Sequence, residues 1–184
     1  TLNNFVRIDD YNDEYQYEIS FETFEDLSKG KSDRFEYIYP NYKYTKDMKS
    51  SYFSNGNLNF ESHGYQKQYN TNSFDGVVIN NINFESNPSY TKNGIKNYYE
   101  LLFRNVNSKA SNSTNYNDDE NLKLLSSFLF NTKLPLYKKT SKSENYLTPI
   151  ASLRLSPNNT KNIRNLDRSV TYNNIFSLDR FGQD

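Results

Sequence analysis

The chain has 184 residues with 22 basic and 22 acidic side chains, so its net charge is zero, and charge gives no case for a nucleic-acid partner or an anionic membrane surface. Cysteine is absent, which excludes disulfides and cysteine-based metal or redox sites within this sequence. A mean hydropathy of -0.97 and the lack of long apolar runs exclude a transmembrane helix, which needs about 20 mostly apolar residues.

The clearest alternation in the chain covers residues 14–22. Aromatic and aliphatic residues at the odd positions alternate with Glu, Gln and Ser at the even positions, and side chains alternate between two faces only in a strand. Glu14, Glu18 and Glu22 therefore share the polar face of one strand. This arrangement favours a solvated face over a pair of carboxylates for acid/base catalysis.

The same alternation predicts seven further strands. After a turn at 26–32, Phe35, Tyr37 and Tyr39 share a face, and the phase changes at Pro40, where a bulge is expected. The later strands are marked by these outward residues: Leu58 and Phe60; Val78, Ile82 and Phe84; Ile95, Tyr99, Leu101 and Phe103; Leu122, Leu124, Phe128 and Phe130; Leu147, Ala151, Leu153 and Leu155; Val170, Tyr172, Phe176 and Leu178.

Strand length and loop length both indicate a membrane barrel. Several predicted strands have about ten residues, the length that a tilted strand needs to cross a bilayer. The connections at 26–32, 65–75, 107–120 and 157–169 are predicted to be longer than those at 46–50, 87–94 and 138–144, and long loops at one end are typical of outer-membrane barrels. The predicted fold is all-β: an antiparallel transmembrane β-barrel segment of about eight long strands, a fragment of a larger barrel.

The C-terminal region resembles a known family. The run that begins Tyr146-Leu-Thr-Pro-Ile-Ala-Ser-Leu-Arg-Leu and the run Asn173-Asn-Ile-Phe-Ser-Leu-Asp-Arg resemble the barrel of the lipopolysaccharide-assembly outer-membrane protein family, LptD, especially its alphaproteobacterial members. The matching positions are Pro149, Pro157, Asn158, Asn174, Phe176, Leu178 and Arg180. Upstream, Phe24-Glu-Asp-Leu, Asp33-Arg-Phe-Glu-Tyr-Ile-Tyr-Pro and Gly64-Tyr-Gln-Lys-Gln-Tyr-Asn-Thr-Asn are similar to earlier strands of that barrel.

This resemblance implies that residues 1–184 are part of an LptD-like barrel domain in the outer membrane of a Gram-negative cell. It implies a role in exporting and assembling lipopolysaccharide into the outer leaflet. The implied partners are lipopolysaccharide, an LptE-like plug lipoprotein and outer-membrane lipid. It implies no enzyme activity and no cofactor.

The polar positions of the predicted strands supply candidate lumen-facing residues. Glu18, Glu100, Arg104 and Arg154 are expected to face the lumen, where they could contact a phosphorylated sugar or the plug protein, or simply carry solvated charge. The acidic run 117–120 could bind a divalent cation but suits a solvated loop better. With His63 as the single histidine, no metal or catalytic site is predicted.

Two other functions remain open from the sequence. One is a generic outer-membrane channel or receptor barrel, which would share the alternation. The other is a soluble, secreted β-sandwich adhesin, in which the Tyr and Phe residues would form the core instead of contacting lipid.

Overall fold

The computed structural model describes residues 1–31, 33–48 and 54–157. Its strands are β1 (Leu2–Tyr11), β2 (Tyr15–Glu25), β3 (Phe35–Met48), β4 (Gly56–Tyr69), β5 (Ser73–Ser86), β6 (Ser89–Tyr90), β7 (Lys96–Ser111), β8 (Asn121–Lys133), β9 (Leu136–Lys139), β10 (Glu144–Leu147) and β11 (Ile150–Leu155). Within the described residues, no helix has the length and apolar character needed to cross a membrane.

The long strands form one antiparallel sheet in chain order, β1-β2-β3-β4-β5-β7-β8-β11, with the short β6 paired to β7 and a separate β9–β10 hairpin. Among the described elements, each strand contacts only the strands that it is hydrogen-bonded to. The sheet is open, because β1 and β11 are not paired with each other. The all-β antiparallel prediction is therefore confirmed.

The predicted strands from 14–22 to 147–155 each correspond to a strand of this sheet, although the last is shorter because Leu147 belongs to the β9–β10 hairpin. The sequence pattern missed β1. Its aliphatic residues Leu2, Val6 and Ile8 are interrupted by paired Asn and Asp residues, which weaken the alternation. The predicted strand at 170–178 lies outside the described residues.

The bulge predicted at Pro40 is confirmed. Ser20 pairs with Asn41 whereas Glu22 pairs with Ile38, so β3 has one more residue than β2 in this interval. The pairing of β3 with β4 shifts at the same place, between Ile38 and Asn41. The extra residue keeps Tyr37 and Tyr39 on the same face as Tyr42 and Tyr44 despite the change of parity.

The predicted difference in loop length was wrong. Among the described residues, the connections at one end of the sheet include 70–72 and 112–120, and those at the other include 12–14, 87–95 and 134–149. The predicted connection at 157–169 lies outside the described residues beyond Pro157. The predicted loop at 65–75 is only a tight turn, because β4 and β5 continue to Tyr69 and Ser73. Asn70 and Thr71 adopt positive φ angles of 44° and 61° there. The sequence pattern predicts a loop for the polar residues next to this turn, but these residues belong to strands.

The sheet has two chemically different faces. We call one the polar face; it contains Glu18, Asn81, Arg104 and Arg154. We call the other the aromatic face; it contains Tyr15, Tyr44, Phe84 and Phe103. Residues that are paired across strands lie on the same face, so the pairings assign the other paired residues. Side chains on the polar face are the more deeply buried: Ile79 and Val106 are 2% and 3% exposed, whereas Phe103 and Leu124 are 54% and 68% exposed. In a single-layer sheet this difference indicates curvature toward the polar face.

A small apolar cluster lies on the polar face near the 70–72 turn. Val77, Ile79, Val106 and Ala110 pack together there with Tyr116, which comes from the β7–β8 connection. The Tyr65 hydroxyl donates a hydrogen bond to the Tyr116 hydroxyl at 3.1 Å. The connection is thus anchored over one end of the polar face by its only buried aromatic residue.

We predict that Gly64→Ala destabilises the fold, because an added Cβ would press on the Val77 carbonyl oxygen and lie 3.0 Å from the Tyr42 ring. Overpacking of this kind costs about 1–3 kcal/mol. Gly30→Ala is the matched control, since nothing lies within 4 Å of its added Cβ. The free energy of unfolding, measured by urea titration, should fall for Gly64→Ala alone. Equal losses in both variants would contradict the assigned packing.

Candidate functional site

The charges of the long strands are concentrated on the polar face. Only four charged side chains of these strands lie on the aromatic face, Asp10, Glu25, Lys46 and Lys109. Each of the four is within the last three residues of its strand. The middle of the aromatic face therefore carries no charge within the described residues.

All four residues predicted to face a lumen lie on the polar face. Glu18 forms an ion pair with Arg7, at 3.2 Å between Nε and Oε1. Arg104 Nε donates to Asn81 Oδ1 at 2.7 Å, and Arg154 Nε donates to Ser127 Oγ at 3.2 Å. The alternation in the sequence thus placed these side chains on a shared face, although not in a single site.

Three of the four residues line two adjoining depressions, which share Glu61, and the fourth lies on a further strand of that face. Glu100 and Arg104 line a depression of about 460 Å³, which Asn81, Asn83 and Glu85 also line. Glu18 lines another depression of about 380 Å³ with Lys43, Glu61 and His63. Arg154 lies on β11, beyond β8. The polar face is accordingly an extended surface rather than one catalytic centre.

Hydrogen bonds between side chains connect neighbouring strands across this surface. Asn131 donates to Glu100 at 3.0 Å and accepts from the Ser152 hydroxyl at 2.6 Å, so it links β7, β8 and β11. On β3 and β4, Asn59 donates to Asp47 at 2.9 Å. Such pairing satisfies polar groups that the curvature of the sheet crowds together.

A row of aromatic rings crosses the aromatic face near the strand ends at 12–14 and 87–95. Tyr15 stacks on Tyr44 with centroids 6.5 Å apart, and Tyr44 contacts Phe60 at 6.2 Å. On the neighbouring strands, Tyr99 lies 5.7 Å from Phe84 and 6.1 Å from Phe128. The row extends over six strands, β2, β3, β4, β5, β7 and β8, at one level of the sheet.

The acidic run at 117–120 is an exposed loop. Lys109 Nζ lies 2.6 Å from Glu120 Oε1, and this hydrogen bond and charge hold the pKa of Glu120 below its usual range. Among the described residues, no group of three or more His, Cys, Asp and Glu side chains is arranged to hold a metal. The loop thus has the geometry of a solvated surface.

Sequence reasoning missed several polar-face residues that the pairing reveals. Asp75 and Asn81 are almost completely buried on β5, and Tyr116 caps the small cluster from a loop. A period of two from Ser73 to Asn83 would have placed Asp75 and Asn81 on one face with Val77 and Ile79. No pattern in the sequence could have indicated the inward position of Tyr116.

The positions that carry the family resemblance are only partly described. Pro149 directly precedes β11, and its carbonyl oxygen accepts a hydrogen bond from the Leu134 amide at 3.1 Å. Pro157 follows β11 and is exposed. Asn158, Asn174, Phe176, Leu178 and Arg180 lie outside the described residues.

Comparisons with known proteins identified no relationship: no protein-family model, curated protein or solved structure matches this chain.

We predict that Asn81→Ala lowers the free energy of unfolding by about 1–3 kcal/mol, because it removes the buried acceptor of a half-buried, charged donor, Arg104. Arg7→Gln, which breaks the exposed Arg7–Glu18 pair, should cost less than about 1 kcal/mol. Urea titration of both variants provides the comparison. An equal or larger loss for Arg7→Gln would show that the Arg104–Asn81 contact does not stabilise the sheet.

Proposed function

We propose that this chain is part of the wall of an outer-membrane β-barrel, with the aromatic face against lipid and the polar face toward the lumen. The distribution of charge carries the proposal, because the aromatic face has charged side chains only near strand ends. A bilayer imposes this pattern, because a charged side chain at a lipid-facing position destabilises a barrel most at the midplane and little near the interfaces. Water imposes no such pattern on an exposed face.

The row of rings from Tyr15 to Phe128 supports this orientation. Aromatic side chains form girdles where barrel walls cross the membrane interfaces, because their rings suit the boundary between hydrocarbon and water. In the proposed barrel this row is one girdle. Strand β2 has 11 residues and strands β3, β4, β5, β7 and β8 have 13 to 16, whereas a crossing needs about nine to eleven. The ends of the five longer strands would therefore extend beyond the hydrocarbon.

A soluble β-sandwich is the weaker alternative. A sandwich buries the apolar face of one sheet against a second sheet about 10 Å away. In the part of the chain that the structure describes, strands contact only their paired neighbours, and Phe103, Leu122 and Leu124 on the aromatic face remain more than half exposed. The face that would have to form the sandwich core is the uncovered one.

Within this proposal, the role is assembly of lipopolysaccharide into the outer leaflet, with an LptE-like lipoprotein as the plug. The resemblance at about 145–181 is the reason for choosing this role over a generic channel or receptor barrel. The polar face would contribute lumen surface, since Arg104, Arg154 and the surrounding amides can donate hydrogen bonds to a phosphorylated sugar. The chain would position an amphipathic cargo and perform no covalent chemistry.

We predict that Phe103→Lys reduces the stability of the protein in lipid vesicles by about 2–4 kcal/mol if Phe103 faces the bilayer midplane. Thr45→Lys on the polar face is the control and should change stability by less than about 1 kcal/mol, since the new ammonium group would face water and Glu61, the residue paired with Thr45. The measurement is urea unfolding from vesicles. A Phe103→Lys variant as stable as Thr45→Lys would exclude lipid contact at this position.

The broader role has its own experiment. The chain should fold only with detergent or lipid, and a monodisperse, folded species in plain buffer would contradict the barrel proposal. Within its full-length protein the chain should co-purify with lipopolysaccharide and with the plug lipoprotein. If the protein needs detergent to fold but co-purifies with neither partner, the membrane assignment stands. The proposed role in lipopolysaccharide assembly would then be rejected.

A further inference from the structure

Asp75 is the most unusual polar residue of the polar face. Its side chain is 0% exposed, and neither carboxylate oxygen has a hydrogen-bond partner within the described residues. Burying a carboxylate without a partner is among the most unfavourable arrangements in a protein interior. The site therefore calls for a compensating positive charge.

The lysine that is paired with Asp75 in the sheet forms its ion pair with another residue. Lys67 pairs directly with Asp75 across β4 and β5, but its Nζ lies 2.8 Å from Glu36 Oε1. The same ammonium group lies over the ring of Tyr69, 4.9 Å from its centroid. Lys67 thus pairs with Glu36 and makes no hydrogen bond to the Asp75 carboxylate.

Two further oxygen atoms near Asp75 also lack partners. The hydroxyls of Tyr69 and Ser108 are buried and make no hydrogen bond to the described part of the chain. Tyr69 pairs with Ser73, and Ser108 pairs with Val77, so both are diagonal neighbours of Asp75 on the polar face. At such positions side chains are within reach of one another. Tyr116 packs on Val77 and Ala110 at the same end of the sheet.

We propose that Asp75, with the hydroxyls of Ser108 and Tyr69, binds a small, hard inorganic cation such as Na⁺ or Ca²⁺. The unpartnered atoms are all oxygens, which hard cations prefer, whereas soft metals need nitrogen or sulfur ligands. A single carboxylate makes the site weaker than one built from several. The bound ion would hold β4, β5 and β7 together beneath the Tyr116 connection. This site does not depend on the proposed barrel function.

The test is the thermal unfolding midpoint of the folded, full chain in NaCl, in CaCl₂ and in N-methyl-D-glucamine chloride at equal ionic strength. One of the inorganic cations should raise the midpoint by roughly 3–6 °C relative to the organic cation, as expected for a ligand at about ten times its Kd. Asp75→Asn should abolish the difference. The exposed loop variant Asp119→Asn should retain it, which separates the site from general salt effects.

Ser108→Ala keeps the test decisive if Asp75→Asn does not fold. It removes one neutral ligand and should raise the cation concentration for half-maximal stabilisation several-fold. With Ca²⁺ replaced by Tb³⁺, tyrosine-sensitised luminescence gives a second measurement that should weaken in the same variant. Midpoints that are equal in all three salts would overturn the proposal, as would a cation effect unchanged in both Asp75→Asn and Ser108→Ala.

Discussion

The antiparallel pairing of each long strand with the next is the constraint on which the rest of the structure depends. Because side chains in a strand alternate with a period of two, a shift by a single residue would exchange the two faces along that strand. The register therefore keeps Glu18, Asn81 and Arg104 on one side of the sheet and Tyr44 and Phe103 on the other. Where β3 has an extra residue at Tyr39–Pro40, its neighbours shift with it, and the faces remain separate.

The sequence was informative where its alternation is regular and misleading where turn-forming residues occur inside strands. The faces of β2, β7 and β8 follow directly from their Tyr, Phe and Leu spacing. Near 65–75, Asn, Gln and Ser are typical of loops, yet cross-strand pairing holds those residues in β4 and β5, so Asp75 was overlooked. The inward position of Tyr116 depends on how its connection folds back, which local propensity does not encode.

The two faces together explain how so polar a chain could take the lipid-facing position that we propose. In a barrel wall only alternate residues need to be apolar, and the other half can be charged or amide-bearing without exposing charge to lipid. On the polar face, polar side chains lie close together and satisfy one another through cross-strand hydrogen bonds such as Arg104–Asn81 and Asn131–Glu100. Asp75 and its neighbours are the exception, and this is why a bound cation is proposed there.

The most direct test of the central claim is a single-cysteine scan along β7, for which the absence of native cysteine is convenient. Each residue from Tyr98 to Arg104 would be replaced in turn in lipid-reconstituted protein and treated with a water-soluble maleimide. We predict labelling with a period of two: cysteines that replace Glu100 and Arg104 react, and those that replace Tyr99, Leu101 and Phe103 are protected by lipid. Equal labelling of both faces would contradict the assignment of the aromatic face to the membrane.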